Sequence, residues 1–254
     1  MGRRGFSLLE AAVSIAVVAI LAGMTAPMAL KALHQRRVAA TRASLKLAFE
    51  AMFGARDRRV ANMRADFGFD PKVSCKTLPF LVTRSWGHVP PFGRNDGALL
   101  PWGWNGPYWQ GPVLNGNPVD AWGNPIDLIH DAARGTWQLH SPGPDRRKGD
   151  DDVVYPPVPA SESAFQATVL VVVTREGPDL GGKLTLRYGG DKGAHMAVAP
   201  VQTLAAKASP QTFTFTAPAG TMQLEFTPTT GAFKAFVLPM DLLPGQTREV
   251  TVKL

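Results

Sequence analysis

The feature that most constrains this chain is a long run of apolar and small residues, 6–30, placed directly after Arg3 and Arg4. About 20 apolar residues suffice to cross a bilayer as a helix. A secretory signal has a shorter apolar core that ends at a small-residue cleavage site. Here the run continues into a segment with helical composition, so the pattern predicts a membrane anchor that is retained in the mature protein.

The charges around this run give two opposing indications of its orientation. Arg3 and Arg4 favour a cytoplasmic N-terminus. Residues 31–64, on the other side of the run, hold nine Lys or Arg against Glu50 and Asp57, a charge of +7. This basic stretch opposes that orientation. It also accounts for the net charge of +7 of the whole chain. A charge run of this kind is usually a solvated face, and because no base-reading module accompanies it, no nucleic-acid partner is expected.

Glu10 is the unusual residue of the apolar run. A carboxylate near the start of a membrane helix is costly, and such residues usually have a function and a partner. No Lys or Arg follows within one turn on the same helical face, so another subunit is a reasonable source of a positive charge. The alternative is a carboxylate solvated at the headgroup boundary, and position alone does not decide between the two.

The helical pattern continues past the apolar run. Residues 29–63 are rich in Ala, Leu, Lys and Arg, which are good helix formers. Apolar residues recur at spacings of three and four, so we expect one long helix to about Met63, loosened at Gly54, with an amphipathic second half.

Residues 65–125 are dense in Gly, Pro, Trp and Asn, which favours loops and turns over regular helix. Their clustered tryptophans indicate either a sugar-binding platform or a cover over a small core, and we favour the core. Cys75, the one cysteine, has no intramolecular disulfide partner and no metal-ligand neighbours.

The N-terminal string Gly5-Phe6-Ser7-Leu8-Leu9-Glu10, with its basic leader, resembles the processing signal of type IV prepilins and pseudopilins. The resemblance implies that a prepilin peptidase cuts after Gly5 and that Phe6 becomes an N-methylated N-terminus. Glu10 would then meet the terminal amine of a neighbouring subunit, and Pro27 stands where many members carry a helix-bending proline.

The middle of the chain resembles the major pseudopilin of type II secretion systems. The similarity runs through Gly106-Pro107-Tyr108, the turn 120–125, the strand-like segments 126–129 and 136–140, and the acidic loop 141–152. In that family the loop binds calcium, which the resemblance places on Asp145, Asp151 and Asp152 with backbone oxygens of His140 and Asp150. Carboxylate and carbonyl oxygens suit this ion. The alternative is an exposed hairpin whose three basic residues, 146–148, neutralise the acidic ones.

The last third of the chain changes to short strand-like segments separated by turns. Alternation of apolar and polar residues, as in Phe213-Thr214-Phe215, indicates half-buried antiparallel strands. This spacing predicts a small β-sandwich. The turns at 218–220 and 243–247 resemble those of carboxypeptidase-regulatory or transthyretin-like domains.

The sequence thus predicts an α+β chain: a long N-terminal helix, membrane-embedded in its first half, packed on a small antiparallel sheet with long loops and followed by a C-terminal β-sandwich. Its expected parts are a leader (1–5), a transmembrane and filament-core helix (6–30), a pseudopilin-like domain (31–155), a Pro-rich linker (156–164) and the sandwich (165–254).

The resemblance implies a structural subunit of a type IV filament machine for protein transport, with type II secretion as the expected system. The partners that it implies are other pilin-like subunits, the prepilin peptidase and an inner-membrane assembly platform. It would be a single-pass inner-membrane protein whose globular domains lie in the periplasm or on a filament. The alternative is an anchored binding module that presents its sandwich to a glycan or a protein. No phosphate loop, nucleophile elbow or zinc motif is present, so no enzyme is expected.

Overall fold

The computed structural model describes residues 8–55, 63, 66, 78–84, 89, 91–93, 101–174, 181–189, 197–205, 210–229 and 235–254. One long helix comes first and is followed by short strands arranged in antiparallel sheets, with one parallel strand pair near the C-terminus. The predicted α+β class is confirmed.

The helix α1 spans Leu8–Phe53 and has two different halves. Its first half is exposed, whereas Leu45, Ala48 and Met52 of its second half are fully buried. The predicted continuation to about Met63 is wrong, because α1 ends at Phe53. Gly54 follows with a φ of 89°, a left-handed conformation that terminates helices and that glycine adopts without steric cost.

The first sheet packs on the second half of α1. It contains β3 (Asp127–Asp131), β4 (Thr136–Ser141) and β5 (Val153–Ser161), all antiparallel, in the order β3-β4-β5. A short hairpin of β1 (Val113–Leu114) and β2 (Asn117–Pro118) precedes it. The core between helix and sheet includes Trp109 and Trp137, and Trp102 is also buried, which confirms the expected core role of the described tryptophans. Trp86 and Cys75 lie outside the described residues.

The C-terminal part is rich in strands, which are β6 (Gln166–Thr174), β7 (Gly182–Tyr188), β8 (Ala197–Val198), β9 (Gln202–Leu204), β10 (Gln211–Pro218), β11 (Gly220–Pro228), β12 (Phe236–Leu242) and β13 (Thr247–Lys253). One sheet has the order β10-β6-β13, and the other has the order β12-β11-β7-β8 with β9 also paired to β7. Residues from both sheets form one buried apolar cluster. The likeness to carboxypeptidase-regulatory or transthyretin-like domains stays a prediction.

The two parts are joined without a break in packing. The predicted linker prolines, Pro156–Pro159, lie within β5, which pairs with β4 on both sides of a register shift. Phe165 is the last residue of a short 3-10 helix, Glu162–Phe165, and its ring stacks on that of Phe53 in α1 at a centroid distance of 4.5 Å. Ala167, two residues further along the chain, belongs to the C-terminal core. Phe165 therefore connects the two cores.

We expect Phe165→Ala to lower the free energy of unfolding by about 3–5 kcal/mol, because it removes a large buried ring and leaves a cavity against α1. Chemical denaturation of the detergent-solubilised chain measures this. Val158→Ala, at a side chain that is 77% exposed, is the control and should leave stability unchanged. Equal stability of the two variants would show that Phe165 does not join the cores.

Candidate functional site

The first half of α1 presents an apolar surface that the described part of the chain leaves uncovered. Large side chains are exposed along it, including Leu9, Ile15, Ile20 and Met28. The helix is long and apolar enough to cross a membrane, with a mean hydropathy of 2.1 over its most apolar window. Glu10 lies in its first turn and Pro27 lies inside it. Gly5 and Phe6 lie outside the described residues, so their predicted processing role stays a prediction.

The turn 120–125 packs against the middle of α1. The backbone amide of Ala121 donates a hydrogen bond to Thr41 Oγ1 at 3.2 Å, and Thr41 is buried. Seven residues earlier on the helix, the ring of His34 lies 6.0 Å from that of Trp122. These contacts place the turn beside the part of α1 that directly follows the apolar run.

Asp120 organises this turn from a buried position. Its Oδ1 accepts hydrogen bonds from the backbone amides of Trp122 and Asn124, both at 2.8 Å. Its Oδ2 accepts a bond of 2.6 Å from the Ser141 hydroxyl at the end of β4. A buried carboxylate is costly unless hydrogen-bonded, and these donors supply the compensation. Asp120 therefore ties the turn to the sheet.

Asn124 extends the connection to the acidic loop that follows β4. Its Nδ2 donates a hydrogen bond of 2.6 Å to the carbonyl of Gly143. Gly143 is buried with a φ of 69°, and a Cβ built there would lie 2.8 Å from the backbone oxygen of Asp151. The start of the loop is thereby fixed on the turn, and only glycine fits this position without displacement.

The residues predicted to hold calcium are close in sequence but do not form one cluster. Asp145 is exposed, and its Oδ1 accepts a hydrogen bond from the Arg147 amide. Asp151 is exposed next to Gly143. Asp152 Oδ2 lies 2.6 Å from His140 Nε2. Among the described residues, no three His, Cys, Asp or Glu side chains are grouped so as to hold a metal. One feature suits a cation: Asp152 Oδ1 is buried and has no hydrogen-bond partner.

The electrostatics of Asp152 combine two opposing effects. Burial, the largest single effect, raises the pKa of this carboxyl. The hydrogen bonds with the His140 ring and the Gly149 backbone, together with the charges of His140 and Lys148, outweigh it and keep the pKa below its usual range. Asp152 is thus a carboxylate at neutral pH, which is the form that accepts hydrogen bonds or binds a cation.

The loop geometry gives a prediction with a matched control. Gly143→Ala and Gly135→Ala both place a Cβ at a positive φ, which costs about 1–2 kcal/mol for an L-residue. The Cβ at Gly135 meets no atom within 4 Å, whereas the Cβ at Gly143 meets Asp151. We expect Gly143→Ala to lower the melting temperature more than Gly135→Ala. Equal shifts would contradict the close packing of the loop on Asp151.

A second carboxyl with a shifted pKa is that of Asp66, which is half-buried. The Tyr108 hydroxyl donates a hydrogen bond of 2.9 Å to Asp66 Oδ2, and the Asn105 amide donates to the Tyr108 oxygen. Burial raises the pKa of Asp66 to about 7, and the nearby carboxylate of Asp241 in β12 also raises it, against the bond from Tyr108. Burial and the Asp66 charge also raise the pKa of Tyr108.

This raised pKa predicts a pH dependence of stability. The folded state binds a proton at Asp66 more tightly than the unfolded state does, so its contribution is complete below about pH 3.8 and is lost as pH rises through about 7. Asp66→Asn should remove this part of the pH dependence, measured as melting temperature from pH 4 to pH 8, roughly the window between the two pKa values. Asp127→Asn, at an exposed carboxyl, should keep it. An unchanged profile for Asp66→Asn would contradict the assignment.

Several of these residues were not identified from the sequence. Asp120 was part of a recognised motif, but its hydrogen bonds to Ser141 and the turn amides were not predicted. Its signal was the order Asp, Ala, Trp, Gly, Asn at 120–124, because an Asp that begins a Gly-containing turn commonly accepts hydrogen bonds from the amides that follow it. Asp66 and Tyr108 are 42 residues apart and carry no such local signal.

Two comparisons with known proteins bear on these features. Residues 1–26 match the family model described as the prokaryotic N-terminal methylation motif. The chain is also similar to the type II secretion system core protein G of Pseudomonas aeruginosa, with 26% identity over 148 residues. This similarity covers 58% of the present chain and 88% of the relative. The present chain is therefore longer than the region that it shares with this relative.

Proposed function

We propose that this chain is a pseudopilin, a structural subunit of a type II secretion filament; the methylation motif and the similarity to the secretion-system relative support this proposal. A prepilin peptidase would cut it after Gly5, and the mature chain would polymerise through α1. Its role is structural and not enzymatic. The observation that carries the proposal is the exposed apolar half of a continuous helix, which overlaps the residues that match the methylation motif.

The physical argument starts from the cost of that exposed surface. Apolar area in contact with water is unfavourable by roughly 25 cal/mol per Å². Lipid removes this cost while the subunit is in the membrane. The same surface packs against the α1 helices of neighbouring subunits once the subunit leaves the bilayer. The subunit would thus sit in the inner membrane as a single-pass protein, with its globular parts on the periplasmic side, and pass from there into the filament.

Glu10 supplies the polar contact of this assembly. After cleavage the chain would begin with the amine of Phe6, and the Glu10 carboxylate of one subunit would pair with that amine in the next. In a low-dielectric surrounding an unpaired carboxylate is strongly disfavoured, and an opposite charge offsets much of its cost. The other partners would be further pilin-like subunits and the membrane platform that assembles them.

We expect Glu10→Ala to reduce filament formation at least ten-fold, roughly the loss of a contact worth 1.4 kcal/mol per subunit. Membrane insertion and folding should stay normal. The amount of filament sheared from the cells measures assembly. Immunoblotting of the membranes for the unassembled subunit measures insertion and folding. Ser14→Ala, one helical turn further on the exposed surface, is the control, because its hydroxyl bonds only the Glu10 carbonyl among the described residues. Normal filaments from Glu10→Ala would contradict the pairing.

Cleavage after Gly5 distinguishes a filament subunit from the alternative function, an anchored binding module. An anchored binding module that presents its C-terminal domain to a glycan or a protein would keep residues 1–5 and would tolerate substitution of Glu10. No contact in the described part of the chain specifically favours that alternative.

Calcium binding at the acidic loop is a further part of the proposal. Its support is the partnerless buried oxygen of Asp152, together with the oxygen-rich composition of the loop. Binding would require Asp145 and Asp151 to move towards Asp152, since the structure does not gather them.

We expect calcium to raise the melting temperature of the wild-type chain and to release heat in calorimetry, because the ion would bind the folded state and neutralise the carboxylates that it draws together. Asp152→Asn should abolish both signals, whereas Asp127→Asn, outside the loop, should keep them. The absence of heat and of stabilisation in the wild type would reject the site.

A further inference from the structure

The region of α1 that follows the apolar run carries cations and no anions. Between Glu10 and Glu50 the sequence contains Lys31, Arg36, Arg37, Arg42 and Lys46, and neither Asp nor Glu. The first three are exposed and form no ion pair with a described residue. A basic run of this kind is usually a solvated face, but directly beside a membrane span it also attracts anionic headgroups.

The directions of these side chains limit what the partner is. With 3.6 residues per turn, Arg36 and Arg37 point about 140° and about 240° around the helix axis from Lys31. The cations therefore surround α1 and do not form a stripe on one face. A single partner protein would contact one face, whereas a layer of headgroups surrounds the helix that passes through it.

Their height along the helix agrees with the headgroup layer. The rise of 1.5 Å per residue places Lys31 to Arg37 within about 10 Å of the end of the apolar run at Leu30. This is close to the thickness of one interfacial region and to the Debye length of about 8 Å at physiological ionic strength. Lys and Arg side chains at helix ends also extend towards the interface.

A second element of the fold brings further cations to the same level. The turn 120–125 lies beside His34 and Thr41 of α1, and Asn124 holds the loop through Gly143. Arg146 and Lys148 of that loop are exposed and line a cavity together with Asn124 and Pro125. This cavity also has an acidic member, Asp127. The loop cations thus stand next to the membrane-proximal turn.

We propose that Lys31, Arg36, Arg37, Arg146 and Lys148, here called the cationic collar, bind anionic phospholipid headgroups of the leaflet on the side of the globular domain. The collar would hold the unassembled subunit at a defined depth. It would also orient the turn and the loop towards the bilayer, with Trp122 at the interface, where tryptophan is favoured. This inference rests on the membrane insertion of α1 and is independent of cleavage and polymerisation.

The test is the selectivity of the lipids that the full-length chain retains. The protein is reconstituted in vesicles of equal phosphatidylglycerol and phosphatidylcholine with identical acyl chains, with EDTA present so that calcium cannot bridge carboxylates to lipid. After extraction in mild detergent, the bound lipids are quantified by mass spectrometry. We expect several-fold enrichment of phosphatidylglycerol at low salt and its loss at about 1 M salt, where the Debye length is about 3 Å.

Variants separate the collar from the remaining charge of the chain. The triple variant Lys31→Gln/Arg36→Gln/Arg37→Gln should abolish most of the enrichment, and Arg146→Gln/Lys148→Gln should reduce it. The control Lys183→Gln/Arg248→Gln/Lys253→Gln removes three exposed charges from the C-terminal part and should keep the wild-type value. All three sets exchange exposed residues, and thermal denaturation checks that each variant folds.

Two outcomes would overturn the inference. One is equal recovery of both lipids by the wild type. The other is unchanged enrichment in the helix variant, above all if that variant instead loses oligomers, because the cations would then face another subunit. Flotation of the vesicles distinguishes failure of membrane insertion from failure of headgroup binding. A chain that does not float with the vesicles contradicts membrane insertion itself. A chain that floats without phosphatidylglycerol enrichment contradicts only the collar.

Discussion

The exposed apolar half of α1 is the constraint on which the rest of this protein depends. The second half of the same helix is buried against the sheet β3-β4-β5. The helix therefore cannot move so as to bury its first half without losing that packing. The apolar surface must therefore be covered by something outside the described part of the chain. A membrane covers it with lipid, and a filament covers it with other helices. In the proposed function, one helix would thus link the folding of the globular part to anchoring and to assembly.

The turn and the loop fix how the globular part is placed relative to that helix. Thr41 and His34 receive the turn, Asp120 connects the turn to β4, and Asn124 connects it to the loop. These hydrogen bonds and the ring contact hold the loop beside the part of α1 that follows the apolar run. Any ligand of that loop, whether a cation at Asp152 or a headgroup at Arg146, would act close to the bilayer.

Much of the fold could be predicted because its signals are local. The apolar run predicted α1, and alternating residues such as Phe213 and Phe215 predicted β10. The end of α1 was predicted at about Met63, but the helix ends before Gly54. The prediction was too long because helix-forming residues on both sides outweighed a single glycine in the pattern. The prolines at 156–159 predicted a linker, yet they lie in β5. The pairing of β5 with β4 is interrupted there by a register shift, so residues without a backbone N–H are tolerated. The contacts of Asp66 and Asp120 depend on tertiary structure and could not be obtained from local patterns.

The central claim is that the chain is a processed filament subunit, and its N-terminus tests this most directly. The measurement is the intact mass and the N-terminal residue of the protein from native membranes, with and without the prepilin peptidase. We predict a chain that begins at methylated Phe6 when the peptidase is present and at Met1 when it is absent. A chain that keeps residues 1–5 in both cases, or that is cut elsewhere, would contradict the account and would remove the proposed role of Glu10.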